Sequence, residues 1–468
     1  MIRRKQADAR LFYASEDICQ PRLGLYARLD ACVGDWEALS EPLRKAFSPE
    51  RNGRPTDPAV FLKIFIVGYM ENIADDTDLA ERIGDSLSIR AFLGYRLDET
   101  TPDHSSISRV RARLAGCLEE VLENVVKLCS IAGLVGGKEC AVDSTLIKAN
   151  ASSSNLKHGE TGEGTRHYVA RLKREHPSTK PRVTNSDFIS LTDPDARLAT
   201  KPSAPTDLYY KATHVTDSKS QIILSAGCSR ADVHDTHCAG DPLKRASNTL
   251  KKSKMALHRV VGDSGYDDGN FHAFVESLNA IPITNNYPRN RKDQIPKSDF
   301  RYDPERDVYI CPVGHHLRRI RQEESRSQYE SNPQVCKGCP FKSGCIARGE
   351  SRTIARYPNE DARIRNIERS KTREGRNALS RRKQVVEPPF AHMKQYGGLR
   401  RLNCRTLKRA TVKILCAAIA WNLKKLAAGL RVATGALKRH LQAEFRLLAT
   451  LFNRLNRFTR SPTDRRAA

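Results

Sequence analysis

The sequence predicts a multidomain α+β protein. A helical N-terminal part precedes a mixed β-sheet core flanked by helices, a cysteine-rich insertion interrupts that core, and a basic helical region closes the chain. Three observations lead there. Apolar residues recur at helical spacing before about residue 134. Short β-branched runs alternate with helical ones between residues 139 and 284. Four cysteines fall close together between residues 311 and 345. At 468 residues the chain has room for roughly two to four domains with their own cores.

Composition narrows the function classes. Hydrophobic residues make up 39%, enough for folded cores, and the formal net charge is +26. Such an excess points to a polyanionic partner, because cations that neutralise phosphates release condensed counterions. A basic protein with no such partner, or a ribosome-associated one, is the competing reading. Roughly +21 of the charge lies between Asp361 and the C-terminus. No apolar stretch follows Met1-Ile2-Arg3-Arg4-Lys5, so no signal peptide is expected. No apolar run is long enough for a membrane span. Thirteen cysteines, mostly scattered singly, suggest reduced thiols in a cytosolic compartment.

Taken in order, Leu39 to Leu134 reads as helices. Asp57-Pro58 opens one, with Phe61, Ile64, Phe65 and Tyr69 at helical spacing. Thr77-Asp78 is expected to cap Leu79–Ile83, with Gly84 breaking it. Asp103 is expected to cap a basic helix that carries Arg109 and Arg113 on one face. Short helices followed by a capped basic helix have the form of a helix-turn-helix, and a plain bundle with a solvated basic face is the alternative. Leu118 to Leu134 is a longer helix ending at Gly136-Gly137, the expected domain boundary.

Next comes Cys140-Ala141-Val142-Asp143-Ser144-Thr145-Leu146-Ile147, a β-forming run with an acid at its middle. Asp143 is either an acid held rigidly in a sheet or a strand-end cap. Residues 150–185 read as a polar surface excursion. Strands at Tyr209–Val215 and Gln221–Ala226 flank a turn at Asp217-Ser218-Lys219-Ser220. A helix runs from His234 towards Leu250. Then Arg259–Tyr266 repeats the first pattern, with Asp263 after a β-branched strand. A helix at Asn270–Leu278 and a strand at Ile281–Thr284 follow. The order strand, strand, strand, helix, strand, helix, strand is that of an RNase-H-like core.

The insertion carries Cys311, then Cys336 and Cys339 as a Cys-x2-Cys step, then Cys345. Four thiolates suit tetrahedral Zn²⁺ in a structural knuckle, and reduced thiols or His315 and His316 standing in are the alternatives. Beyond Arg363 the chain becomes basic and helical. On a continuous helix Lys383, Glu387 and Lys394 share a face, and Glu387 could simply pair with Lys383. Pro388 and Pro389 either kink that helix or start a new one. Asp143, Asp263 and Glu387 make sense together as an oxygen ligand set for two Mg²⁺ (or Mn²⁺) ions that clamp a phosphodiester displacement.

The chain resembles the bacterial insertion-sequence transposases of the DDE type. The resemblance rests on Ala141–Thr145 with Lys148-Ala149-Asn150, on Thr192-Asp193-Pro194-Asp195-Ala196 and on Gly262–Tyr266. It rests also on Val386-Glu387-Pro388-Pro389-Phe390 with Lys394, Arg400 and Arg401, on Asn422–Leu426, and on Pro102–Ser106 with Arg109. It implies an RNase-H-like catalytic domain and a metal triad of Asp143, Asp263 and Glu387, with Lys394 on transposon-end phosphates. The family pattern sets Tyr, Arg, Glu and Lys at fixed spacing. Here the Arg position is Lys383, with Arg382 beside it, and the Tyr position is Ser380. Lysine meets phosphate as a point charge without arginine's bidentate fork.

The expected enzyme is a DNA transposase that hydrolyses the phosphodiester at inverted-repeat ends and joins the freed 3′-hydroxyl to target DNA. Arg109, Arg113, Arg382, Lys383 and Lys394 are the expected DNA contacts. A catalytically dead, DNA-binding relic and a nuclease without strand transfer are the alternatives. Expected divisions are a helical part at 1–135 and a first core segment at 136–286. The cysteine-rich insertion at 287–361, a second core segment at 362–430 and a basic tail at 431–468 complete the chain. The resemblance further implies double-stranded DNA as partner, a homodimer on it, and a bacterial, nucleoid-associated location.

Overall fold

The computed structural model describes residues 24–47, 57–175, 184–201, 204–286 and 294–429. The expected amphipathic tail from Arg431 lies outside them. The protein is a multidomain chain of mixed α+β structure with two compact units, Met1–Leu257 with Arg382–Ala468, and His258–Arg381.

The first unit begins with helices α1 (Leu25–Val33), α2 (Trp36–Ser40), α3 (Pro58–Met70), α4 (Asp76–Asp85), α5 (Leu87–Leu93), α6 (His104–Arg113) and α7 (Leu118–Ile131). Their starts follow helix-capping chemistry, in which a short polar side chain takes an otherwise orphaned N–H. Asp57 accepts from Ala59 N at 2.8 Å, ahead of Pro58. Asp103 accepts from Ser106 N at 2.8 Å, as expected. The expected cap at Thr77-Asp78 is corrected to Asp75, which takes the Thr77 N–H at 2.7 Å. Gly84 does not break α4, which runs on to Asp85 because Leu79 and Ile83 are buried along it. Helix α3 is apolar nearly all round and forms the centre of this part, with Leu62, Ile64 and Ile66 fully buried.

Strand β1 (Glu139–Lys148) follows, then β2 (Leu156–His158) and α8 (Thr165–Glu175) in the polar excursion, and β3 (Phe188–Ser190) just after it. Strands β4 (Arg197–Lys201), β5 (Ala204–Asp217) and β6 (Ile223–Arg230) and helix α9 (Asp235–Lys252) complete this stretch. Strand β5 is central. β1 pairs antiparallel along one edge, while β4 and β6 share the other edge at successive stretches of it. The Asp217 carboxylate, at the end of β5, accepts from Gly137 N at 2.9 Å and so fixes where β1 starts. Gly137 has a φ of 73° and lies against Met255, a place no side chain fits.

The second unit holds β7 (Arg259–Gly262), α10 (Gly269–Ser277) and β8 (Ile281–Thr284), with β7 and β8 parallel. The insertion folds as β9 (Arg301–Asp303), β10 (Val308–Ile310), β11 (His316–Glu323), β12 (Arg326–Ser331), α11 (Pro333–Lys337), α12 (Lys342–Cys345) and β13 (Thr353–Arg356). Its strands form an antiparallel sheet in the order β13-β12-β11-β10-β9, over a small core of Phe300, Tyr309, Leu317, Tyr329 and Ile354. Helix α13 (Glu360–Lys371) places Asn366 against β8, where its Oδ1 accepts the Thr284 N–H at 2.9 Å.

Two long helices end the described chain, α14 (Arg373–Tyr396) and α15 (Leu407–Gly429). Within the first unit the Thr192–Ala196 segment anchors α15. Asp195 accepts the Leu407 N–H at 2.8 Å, and Asp193 accepts the Thr406 N–H at 3.1 Å and the Tyr210 hydroxyl at 2.6 Å. Carboxylates at a helix N-terminus meet both its orphan donors and its dipole. Among the described residues no helix is long and apolar enough to cross a membrane.

Candidate active site on the central sheet

In β1 the side chains alternate between faces, and residues opposite each other across an antiparallel pair share a face. Asp143 stands opposite His214, and Thr145 opposite Ala212. Ser144 stands opposite Thr213 on the other face, where the two hydroxyls bond at 2.8 Å. The tandem hydroxyls after Asp143 therefore belong to different sides of the sheet. Thr145 accepts from Lys394 Nζ at 2.6 Å, so both hydroxyls have structural partners.

The Asp143 face meets α14. Asp143 Oδ1 takes the N–H of Ser144 at 2.9 Å, and Oδ2 lies 3.2 Å from Arg382 Nη1. That contact is ionic without hydrogen-bond alignment, since the buried Nη1 has no hydrogen-bond partner. Four residues on from Arg382 is Val386, and eight on is Phe390, both buried. Arg382 thus rides on the apolar stripe of α14 and is carried to the sheet by it. Burial along this stripe distinguishes Arg382 from its neighbour Lys383, which is exposed. Phe390 stacks on His214 at 4.1 Å between ring centroids and 12° between planes. His214 is fully buried, and burial pushes its imidazole down to about 3, so it stays neutral. Neither of its ring nitrogens has a hydrogen-bond partner among the described residues. It acts as a flat plate between sheet and helix, a role that no spacing pattern signals.

Glu387 lies on the same helix and is exposed. No ion pair joins it to Lys383 among the described residues, which corrects the alternative of a simple salt bridge. Helix α14 passes through Pro388 and Pro389 as one continuous helix. Pro388 leaves the Gln384 carbonyl without its intrahelical donor. That carbonyl instead accepts Gln221 Nε2 at 2.9 Å. Gln221 sits at the β5–β6 turn with a φ of 63°. Its other groups are held by Lys425 at 2.9 Å and Trp421 at 2.7 Å.

Asp263 belongs to the second unit. It directly follows β7, and its Oδ1 caps a short turn by accepting Gly265 N at 2.8 Å. The turn packs Tyr266 onto Gly262, where a side chain would lie 3.0 Å from the tyrosine Cβ. The cap uses one carboxylate oxygen.

In the same unit Cys311, Cys336, Cys339 and Cys345 line one small pocket with Phe300 and Leu317. The N–H of His315 points at the Cys311 sulfur at 3.2 Å, and Ser331 Oγ lies 3.1 Å from the Cys336 sulfur. Among the described residues no three His, Cys, Asp or Glu side chains converge closely enough to hold a metal ion. The three acids and the four thiols fit hard and soft cations by donor type, without assembled ligand distances.

On α6, Arg109 and Arg113 are exposed, and Arg109 folds back onto Ser105 at 3.0 Å. The third arginine, Arg111, is buried, pairs with Asp76 at 2.5 Å and stacks on Phe65.

Residues 15–113 match the family model described as a transposase domain (DUF772), and residues 310–427 match one described as a transposase DDE domain. The second match includes Arg382, Glu387, Lys394 and all four cysteines of the insertion, and leaves Asp143 and Asp263 outside it. No curated protein matches. Among solved structures, the piggyBac transposase synaptic complex with hairpin DNA is similar at 10% identity and a TM-score of 0.37, over 95% of this chain and 84% of that one. At that score the likeness carries no structural argument. With a match to a transposase domain near its start and to a transposase DDE domain towards its end, the chain carries the domains of a DDE transposase.

Proposed function

We propose that the chain binds the inverted-repeat ends of an insertion sequence and cuts them. Water attacks the end phosphodiester, and the freed 3′-hydroxyl then attacks target DNA. The observation that carries the reading is the contact of Arg382 with Asp143, by which the helix bearing Glu387 meets the strand bearing the first acid. Asp143, Asp263 and Glu387 would hold Mg²⁺ or Mn²⁺, which when bound would polarise the phosphoryl oxygens and make water a better nucleophile. The chain's own residues do the rest. Strand β1 fixes Asp143, and His214 and Phe390 hold α14 against the sheet. Lys383 and Lys394 add positive charge on either side of Glu387, where an end phosphate would lie. Arg109 and Arg113 would track the backbone of duplex DNA, and two copies would join two ends.

The test uses a duplex made from the DNA flanking the gene. Glu387 is exposed, so Glu387→Gln leaves the fold intact. Its Mg²⁺-dependent nicking of that duplex falls by on the order of 10³-fold or more, with gel-shift affinity unchanged. Full nicking by this variant would overturn the reading.

The cysteine-rich sheet is proposed as a zinc knuckle, supported by four thiols around one pocket and by the N–H directed at Cys311. Its five-residue core is too small to be secure alone, and a structural metal commonly supplies what such a core lacks. The purified chain is expected to carry about one zinc per molecule by elemental analysis, and Cys339→Ser to lose it. A zinc-free chain from zinc-supplemented cells, with melting unaffected by chelator, would exclude the knuckle.

A further inference from the structure

In the second unit the turn that follows Asp263 ends on another acid. The chain runs from β7 through Asp263 and the turn Ser264–Tyr266 to Asp267, and Asp268 then caps α10 by accepting Asn270 N at 3.0 Å. Ser264 and Gly265 are exposed, so packing does not hold them. Tyr266 is fully buried and holds the turn to Gly262 and, at 5.2 Å between ring centroids, to Phe271. Asp267 points inward. Its side chain is 1% exposed, and its Oδ2 accepts from Arg363 Nη2 of α13 at 2.8 Å.

Arg363 is itself held. Its Nη1 lies 3.6 Å from Glu360 Oε1. Glu360 is buried, pairs with Lys297 at 3.0 Å and takes the Tyr357 N–H at 3.1 Å. Lys297 in turn donates to the Ala355 carbonyl at 2.6 Å, in the edge strand β13 of the cysteine-rich sheet. The start of α13 also abuts the start of α10 with no room to spare. A Cβ at Gly269 would lie 2.6 Å from the carbonyl oxygens of Pro358 and Asn359, and the Asn359 amide donates to Asn270 Oδ1 at 2.8 Å. Asn359 turns this corner at a φ of 54°, which asparagine tolerates better than most residues.

Stability is a weak reason for this buried pair, because apolar side chains of similar volume often stabilise a core as well or better. What the pair supplies is direction, since the guanidinium presents its donors in a rigid fork. The carboxylate four residues earlier needs direction. Asp263 spends Oδ1 on the Gly265 N–H inside the turn, and a hard cation would meet the oxygen that the cap does not use. We propose that Asp267 and Arg363 are positioning residues for Asp263: the pair holds the far end of the turn so that this oxygen faces a divalent cation in one direction. The proposal rests on the reading of Asp263 as a metal ligand.

The test replaces the pair with apolar side chains. Asp267→Leu combined with Arg363→Met removes both charges at once, so neither is left buried alone. Hydrogen exchange read by mass spectrometry follows the amides of residues 264–268, and nicking of the flanking duplex is measured across Mg²⁺ concentrations. In the double variant, exchange in the turn is expected to speed up about tenfold and the half-saturating Mg²⁺ concentration to rise about tenfold, with the rate at saturating Mg²⁺ within about threefold of the parent. Asp267→Asn, a milder change that keeps the side chain's shape, is expected to move both in the same direction by about threefold. Arg363→Lys, which keeps the charge, is expected to recover most of the parent's Mg²⁺ dependence. Arg365→Ala, which breaks a more exposed pair with Glu276 on the same helix, is expected to change neither. Unchanged exchange and Mg²⁺ dependence in both the double variant and Asp267→Asn would make the pair structural only and overturn the proposal, with Asp263 still a ligand. Full nicking by Asp263→Asn at every Mg²⁺ concentration would remove Asp263 from the metal site and take the proposal with it.

Discussion

Asp143→Asn is expected to abolish end cleavage while the protein stays folded and bound to DNA. The side chain keeps its shape, and the amide oxygen can still face Arg382, so β1 and α14 remain in register. On the proposed reading, what is lost is a negative oxygen ligand in a set that acts as a unit. Removing one member of such a set costs nearly as much as removing all, here on the order of 10⁴-fold in nicking rate. The stability effect is much smaller. Arg382 is 10% exposed and Asp143 21%, and their contact lacks hydrogen-bond alignment. It lies between a surface pair, worth under about 1 kcal/mol, and a buried pair, whose breakage costs about 3–5 kcal/mol. We expect about 1 kcal/mol, or a Tm lowered by roughly 2–4 °C. Nicking, gel shift and melting curves on one preparation decide it. Nicking within tenfold of the parent would remove Asp143 from the chemistry. Loss of DNA binding together with a Tm drop above about 10 °C would make it a structural residue.

Local features of this fold were legible because they are set by neighbours in sequence. Asp57 and Asp103 cap helices where a short acid precedes a helical pattern, and Asp143 lies in a strand because β-branched residues surround it. The alternation of β1 alone separates Ser144 from Thr145. Where two equivalent acids compete the sequence is silent, as with Asp75 against Thr77-Asp78. Partners supplied from far along the chain were not readable. Pro388 and Pro389 predict an interrupted helix unless other groups serve the freed carbonyls. For Gln384 that group is Gln221, 163 residues away. The helical wheel put Lys383, Glu387 and Lys394 on one face correctly. It could not say that the neighbouring face, led by Arg382, meets the sheet, because buried neighbours decide that. His392 looked like one more residue of a basic helix, and only the fold brings it between Tyr69 and Lys424.

Asn422→Leu is expected to destabilise the fold strongly although it touches none of the acids. Asn422 is fully buried in α15. Its Oδ1 accepts the Ile223 N–H at 2.8 Å, and its Nδ2 donates to the Ile223 carbonyl at 2.8 Å. This one side chain serves as a strand partner for the first residue of β6. Ile223 stands opposite Thr216 of β5, and the Asn422 amide serves the edge of β6 that β5 does not cover. Leucine has nearly the same volume and fills the space, which returns at most about 1.5–3 kcal/mol of apolar burial. Against this, two buried backbone groups lose their partners at roughly 1–3 kcal/mol each. The unpaired groups win, because water cannot reach them beneath α15, and we expect a net loss of about 2–3 kcal/mol. Alanine at the same position adds a cavity and should cost more than leucine. Chemical denaturation followed by far-ultraviolet circular dichroism gives the number. A leucine variant within about 0.5 kcal/mol of the parent would mean that the Ile223 groups find other partners, and that Asn422 fills space and does not tie α15 to the sheet.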